Sequence, residues 1–587
     1  MINSLSYRFT RIQTRTGQKF VFLSVWAVLA FFTNVLFAQN AADSTGVSTE
    51  IVDVVKSYTP SIILRPKSKW QLSAAEDVLM PRPEFSYTHD FLNLIPSDLP
   101  SLLSATGPGK EKDQEQLPNY VRFYLGTRAS AGIEGFVTKS FNKEANLTVA
   151  LDHQQLNGPI EPVPFSTDWA ESGLRTQWRS KLENRTSTLG VSLKRSSVQF
   201  YGISDTLTVD SLLSDDFGQV YNRGTLYHRL GSNGGWFSGI DNEFSFFSDR
   251  FGVAEWKFSS APKAELIWDK RIISFSGNLS FLSMKLSLDD TLITAQDYNA
   301  LNADLGAQTD LDFGDLTVNL GAKVWAHDGG SGNTFRLFPE LELSYPILER
   351  RLNAHLGFSG QYKQYQASTL TESHAFLAPG LVLKPQIDRQ IVRFGISGIV
   401  TESWQYNLDV VFRNFEDQAY FVQRPWSGEQ GLFAYDNGNS FTIDYHEGTE
   451  LKYTAKINGR LSDRWDVTLD AALIDNRPAN NVAPWNIPEF SFGGSGSYHV
   501  NEQILLTGRF VSYGARMDQL TIGDEVNSQS VDGFIDAQLH LHWALTKNFS
   551  TSLSGINLFN QNNGLWVNYP VQGLRVNLGL QYNFNAF

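Results

Sequence analysis

The 587-residue chain contains no cysteine and only 4 methionines. The absence of cysteine removes disulfide scaffolds, thiolate zinc sites, thiol catalysis and the acylated cysteine of a lipoprotein. Only one long apolar run occurs, near the N-terminus, and mean hydropathy is -0.24. A polytopic helical membrane protein is thereby excluded, because each helical span needs about 20 mostly apolar residues. Basic residues are outnumbered, 48 against 61 acidic, so the basic patch of a nucleic-acid-binding protein is not expected either. What the chain does have is aromatic residues, 41 Phe, 21 Tyr and 14 Trp, too many for a disordered polymer. These side chains must be hidden from water somewhere.

The first forty residues bear on compartment. Arg8, Arg11, Arg15 and Lys19 precede an apolar core from Phe20 to Leu29 that continues less purely to Phe37. This reads as a secretory signal peptide, residues 1–38, cleaved after Ala38; a single membrane anchor is the alternative reading of the same run. Cleavage leaves 44 basic against 61 acidic side chains, an exported chain of net charge -17.

The remainder is dominated by a period of two. Leu574, Val576, Leu578, Leu580, Tyr582 and Phe584 alternate with Arg575, Asn577, Gly579, Gln581 and Asn583. Such spacing puts every apolar group on one face of a strand. The same alternation recurs at Ile535 to Leu545, at Leu451 to Ile457, at Trp465 to Leu473 and through Leu316 to Phe358, with a polar turn expected from Gly459 to Arg464. No helical stretch, repeat or domain break interrupts residues 119–587. Alternation alone also fits a soluble sandwich, but a continuous run of this length, with tight turns and longer polar loops, fits a transmembrane antiparallel β-barrel. At about 21 residues per strand and connection, 469 residues supply roughly 22 strands, with 20 the other even number in range. The fold class expected is all-β, and the aromatic excess is assigned to interface girdles and lipid contacts.

The stretch SGINLFNQNNGLWVNYPVQGLRVNLGLQYNF, Ser554 to Phe584, resembles the last hairpin of TonB-dependent outer-membrane receptors. The matching positions are Asn557, Leu558, Phe559, Asn560, Tyr569, Pro570 and Gly573, and the preceding GFIDAQLHLHWALTKNFSTSLSG looks like that family's penultimate strands. The specific match runs from Gly533 to Phe584, a small part of the chain; elsewhere only strand periodicity agrees. The resemblance implies a 22-stranded barrel in the outer membrane of a Gram-negative envelope, binding a ligand outside and importing it with energy from an inner-membrane complex acting on a plug. It also implies insertion by the barrel-assembly machinery through a terminal strand carrying Tyr582, Phe584 and Phe587. The departure is upstream, where the segment 39–118 is short for a plug and rich in proline, and so reads as a periplasmic or lumen-occluding segment. Within it, Ile51, Val52, Asp53, Val54 and Val55 resemble the family's energy-coupling box.

Signals for chemistry are sparse. His540 and His542 share a strand face at a spacing a metal site can use, but no third ligand is visible nearby, and lumen-facing polar groups are the simpler reading. HEGTE, His446 to Glu450, lacks the second histidine of a zinc-protease motif, and the GGSGS run from Gly493 lies inside a strand, where glycine marks close packing. No cofactor, metal, nucleic-acid partner or enzymatic activity is expected. Lumen-facing candidates are Glu340, Glu342, Asp466, Asp470, Asp536 and Arg575, a wall of mixed sign. Three functions remain open: a receptor or transporter barrel taking up an unidentified ligand, a passive channel of the porin kind, and a non-transporting scaffold for partner proteins or envelope assembly. On the strand reading, Leu578→Arg is expected to be costly and Asn577→Arg tolerated.

Overall fold

The computed structural model describes residues 119–585 apart from 143, 204–216, 233, 270, 288–296, 331, 425–432, 523–524 and 563. The first strands are β1 (Asn119–Gly126), β2 (Ser130–Asn142), β3 (Ala145–Leu156), β4 (Trp169–Leu182), β5 (Arg185–Gln199), β6 (Gly218–Ser232), β7 (Phe237–Asp249) and β8 (Val253–Trp268). There follow β9 (Arg271–Leu286), β10 (Tyr298–Phe313), β11 (Leu316–Gly329), β12 (Gly332–Leu348), β13 (Leu352–Gln364), helix α1 (Ala367–Ser373), β14 (Pro385–Thr401), β15 (Trp404–Gln423) and β16 (Phe441–Ser462). The last are β17 (Trp465–Pro478), β18 (Phe490–His499), β19 (Ile504–Tyr513), β20 (Arg516–Ile522), β21 (Glu525–Val531), β22 (Phe534–Ala544), β23 (Phe549–Ile556) and β24 (Arg575–Phe584).

Twenty-two strands form one antiparallel sheet in which each pairs with its neighbours in the chain, except that β19 pairs with β22. β20 and β21 form a separate hairpin between them. β1 pairs with β24, from Asn119↔Phe584 to Gly126↔Asn577, and closes the barrel. Closure leaves no edge of the 22-stranded sheet unpaired, the condition for a sheet to stand in lipid.

The alternation read from β24 is reproduced in space. Val576, Leu578, Leu580 and Tyr582 are exposed on the outer face, while Arg575, Asn577 and Gly579 are buried inside. Phe584 is half-buried and stacks on Tyr582 at 6.0 Å. Two local expectations need correction. β16 runs on through Gly459 to Ser462, so the turn is only Asp463–Arg464. Asn577 does not face open lumen: its Oδ1 accepts a hydrogen bond from Ser130 Oγ at 2.5 Å and sits where a Cβ on Gly126 would fall, which leaves no room for an arginine.

Strand length varies round the wall. β15 and β16 have 20 and 22 residues, whereas β1 and β23 have 8 and β24 has 10. At about 3.3 Å per residue, β23 reaches some 26 Å before tilt, close to the roughly 25 Å apolar band of outer-membrane barrels. The wall is therefore lowest at β23 and β1, which flank β24.

The two ends differ. One end carries both ends of the sheet, Asn119 and Phe584, and its connections are tight turns such as 183–184, 402–403 and 463–464. Most connections at the other end are far longer, among them 157–168, 365–384, 424–440, 514–533 and 557–574.

Candidate functional site: the capped end of the barrel

Long loops in water are usually polar. Here the segments HAFLAPGLVL (His374–Leu383), FAYDNGNSF (Phe433–Phe441) and LWVNYPV (Leu565–Val571) are apolar and aromatic, and they fold inward. Phe376, Leu377, Leu381, Leu383, Tyr435, Trp566 and Tyr569 are all 5% exposed or less, in one core with inward residues of the wall such as Trp169, Tyr221, Met284, Phe441 and Phe534. These residues form an apolar cap at the loop end of the barrel. This corrects the assignment of the aromatics to lipid contacts and girdles alone: the largest fully buried side chains are Trp325, Tyr221, Tyr420, Tyr435, Phe200, Phe415 and Phe441. Trp325 illustrates the inner wall, stacked on Tyr362 at 4.5 Å and donating from Nε1 to Asn302 Oδ1 at 3.3 Å.

Polar anchors fix the cap to the wall. Glu255 on β8 accepts the backbone N–H groups of Ala367 and Ser368 at 2.6 and 3.2 Å, satisfying donors that a helix start leaves free. Arg223 on β6 donates to Thr371 Oγ1 at 2.8 Å, and Lys194 on β5 pairs with Glu372 at 3.1 Å. The loop after β13 is thus bound to strands β5, β6 and β8. Within the cap, Tyr569 stacks on Phe376 at 3.7 Å and donates to Asn439 O, while Tyr201 donates to Pro570 O at 2.9 Å. Tyr569 lies where a Cβ on Gly202 would fall, so that position admits no side chain.

His374 is the buried histidine of this core. Its ring stacks on Trp566 at 3.6 Å, with Phe376, Phe421 and Phe441 around it, and Nε2 has no hydrogen-bond partner. Burial among aromatics holds it well below the ordinary imidazole range. Asp518 on the β20–β21 hairpin, fully buried, is pushed up by desolvation to about 7.

The resembling residues act at the joint between wall and cap. Asn557 and Asn560 have positive φ, 51° each, a backbone region asparagine tolerates well. Asn557 Nδ2 donates to Gln561 O at 2.6 Å and Gln572 O at 2.9 Å. Asn560 Oδ1 accepts from Leu574 N at 2.8 Å and sits where a Cβ on Gly573 would be, which explains the glycine.

Beneath the cap lies a cavity of about 190 Å³. Trp169, Val198, Phe376, Tyr513, Trp566 and Tyr569 give it apolar walls, and Arg509, Asp536, Gln538 and Arg575 form a polar side. Two of the lumen candidates, Asp536 and Arg575, meet here. The other four are spread along the wall: Glu340 is 3.5 Å from Lys323, Asp466 is 3.4 Å from Arg460, Asp470 lies over Gly493, and Glu342 is exposed on β12. His540 and His542 share the inner face of β22, where His540 Nδ1 lies 2.6 Å from Ser554 Oγ. No group of three or more His, Cys, Asp or Glu is placed to hold a metal among the described residues. Ile51 to Val55 and Phe587 lie outside the described residues.

A closed 22-stranded antiparallel barrel with its long loops at one end is the architecture of the TonB-dependent siderophore-receptor barrels. Among solved structures, the chain is similar to the siderophore receptor PirA from Acinetobacter baumannii (TM-score 0.61, 11% identity, 81% of each chain covered). It is similar also to a mutant of the ferric enterobactin receptor PfeA from Pseudomonas aeruginosa (0.59, 12%, 79% of this chain and 80% of that one). FpvA from P. aeruginosa bound to heterologous pyoverdines matches with TM-score 0.59 and 11% identity over 79% of this chain and 71% of that one. No family model and no curated protein matches the sequence. At these identities the likeness is one of fold.

Proposed function

We propose that the chain is an outer-membrane barrel of the receptor or transporter type, binding or taking up a ligand at its capped end. The observation that carries this reading is the cap, a buried apolar core tied to the wall by the same Asn557 to Gly573 segment that resembles the receptor family. The outer face supplies the contact with membrane lipid. The closing strand, with Tyr582, Phe584 and Phe587, is the element offered to the assembly machinery, and residues 51–55 are the segment offered to an inner-membrane energy-coupling complex. The solved relatives are receptors for siderophores, and one is in complex with pyocin S2. By analogy, a small ligand or a surface protein is the partner class for this barrel, with no enzymatic step.

A packed core across the mouth favours a gated barrel over a passive channel, because ions need a hydrated path. Purified protein in planar bilayers tests this: an electrically silent barrel is expected, and steady large conductance overturns the reading. Deleting Ile51 to Val55 while measuring ligand uptake tests energy coupling, with loss of uptake expected. The scaffold reading draws on the same closed cap, which presents a fixed surface outside, and predicts a stable partner on co-purification from outer membranes.

A further inference from the structure

The outer face of β6, β7 and β8 interrupts the apolar pattern of the lipid-facing wall. Leu226, Phe244 and Phe258 are exposed there and paired across the three strands. Two residues nearer the turn end, on the same face by alternation, stand His228, Asn242 and Ser260, again paired side by side. The next row, Leu230, Ile240 and Pro262, is apolar once more. Along the chain Asn242 is six residues from Trp236, an exposed aromatic at the turn-end boundary. At about 3.3 Å per residue and a tilt of roughly 35–45°, that is some 15 Å of depth, near the middle of an apolar band about 25 Å tall.

The polar row is hydrogen-bonded within itself, but not completely. Ser260 Oγ donates to Asn242 Oδ1 at 2.8 Å, and His228 Nε2 lies 3.1 Å from Ser187 Oγ. Asn242 Nδ2 and His228 Nδ1 have no partner among the described residues. Acyl chains offer no acceptor, so a polar group at this depth is costly and marks the approach of something that completes its bonds. We infer that this patch is the contact between two copies of this chain in one membrane. Copies inserted the same way round are related by a two-fold axis along the membrane normal, and that axis keeps every residue at its own depth. Asn242 is thereby brought against Asn242 of the second copy. An amide is its own complement: each Nδ2 donates to the other Oδ1, which still has a lone pair after accepting Ser260. Leu226 and Phe244, exposed beside the pair, supply apolar packing around it. The inference does not rest on the receptor reading, and a strictly monomeric barrel leaves that reading standing.

The test uses full-length protein in vesicles over a range of protein-to-lipid ratios. Because the chain has no cysteine, Phe244→Cys places a single thiol beside the contact, and Leu578→Cys places one on the lipid face of β24 as a control. A short bismaleimide is expected to link Phe244→Cys into dimers and to leave Leu578→Cys monomeric. Adding Asn242→Leu to Phe244→Cys should lower the dimer yield about tenfold, the scale of a hydrogen-bonded pair inside a membrane. Heat-modifiable gel mobility should be kept, since that substitution takes a polar group out of lipid. If the leucine variant fails to fold, the contrast between the two single-cysteine proteins still decides. Equal linking at positions 244 and 578, monomers at every ratio, or an undiminished yield in folded Asn242→Leu overturns the contact. So does linkage of Phe244→Cys to a different protein in isolated outer membranes.

Discussion

The two ends of this barrel solve the same problem, joining neighbouring antiparallel strands, with opposite means. At the turn end, a few residues suffice, and pairs such as Asp463–Arg464 or Glu183–Asn184 merely reverse the chain in water. At the loop end, connections such as 365–384 and 557–574 leave the wall, cross inward and bury Phe376, Trp566 and Tyr569 against strands as distant in sequence as β6 and β22. The difference shows where stability and function are concentrated. Short turns hold register and little else, whereas the loops form a second folded core inside the first.

The largest effect that tests this contrast is expected at Trp566. Replacement by Ala empties the stack on His374 and the contacts with Phe421 and Phe441, and removal of a buried aromatic costs about 3–5 kcal/mol. The loss should fall on the cap, read as faster hydrogen exchange and proteolysis in residues 365–384, with the barrel's heat-modifiable gel mobility kept. A two-glycine insertion between Asp463 and Arg464 should change neither. If the insertion unfolds the protein as badly as Trp566→Ala, the two ends are not energetically distinct.

Next in size is the lipid face, which both ends share. Leu578, 60% exposed on β24, should cost roughly 2–4 kcal/mol when replaced by Arg, because a cation at mid-membrane depth has no water. Gln581, on the inner face near the turn end, should accept Arg within about 0.5 kcal/mol. Denaturant titration in vesicles checks both, and equal costs would mean that the faces have been exchanged.

The cap should respond to mild acid. His374 is favoured neutral when folded, so below the ordinary imidazole pKa near 6.5 the opened cap binds the proton that the closed one refuses. Closure is therefore fully stable above that pH and weakens as pH falls through and beneath it. Asp518, raised to about 7, acts with the opposite sign, since its protonated form suits the folded hairpin. Comparing wild type with His374→Phe isolates the histidine: the pH dependence of exchange in residues 365–384 between pH 7 and 5 should shrink in the variant. An unchanged profile removes His374 as its source.

The barrel itself was legible because period-two alternation is dictated by a sheet with lipid on one side and a lumen on the other, and β24 shows it residue by residue. The cap was not read, although its signal was present: Leu565, Trp566, Val567 and Tyr569 are apolar in a loop, where nothing local can bury them. Alternation cannot say what such residues pack against, since Phe376 and Tyr569 are far apart in the chain and meet only through the fold. The same limit explains why Asp536 and Arg575 could be placed on the inner face but not recognised as neighbours of a cavity. It explains Asn577 too, whose crowding comes from Gly126 and Ser130 across the closing seam.

The smallest effect belongs to the turn end. Arg460 and Asp466 flank the β16–β17 turn as an ion pair at 3.4 Å, with side chains 59% and 54% exposed. In water their attraction is screened, and holding two side chains in one geometry costs entropy, so Asp466→Asn should lose less than about 1 kcal/mol, and less again in high salt. The comparison is with Arg413, 20% exposed, which pairs inside the wall with Asp388 at 3.3 Å and Glu450 at 3.1 Å. Truncating Arg413 leaves two carboxylates facing each other without their shared cation, and should cost several times more. Should the two substitutions prove equal in denaturant titration at low and high salt, water reaches the inner wall near the cap as freely as it reaches the turns, and the division between a hydrated end and a packed one fails at its most sensitive point.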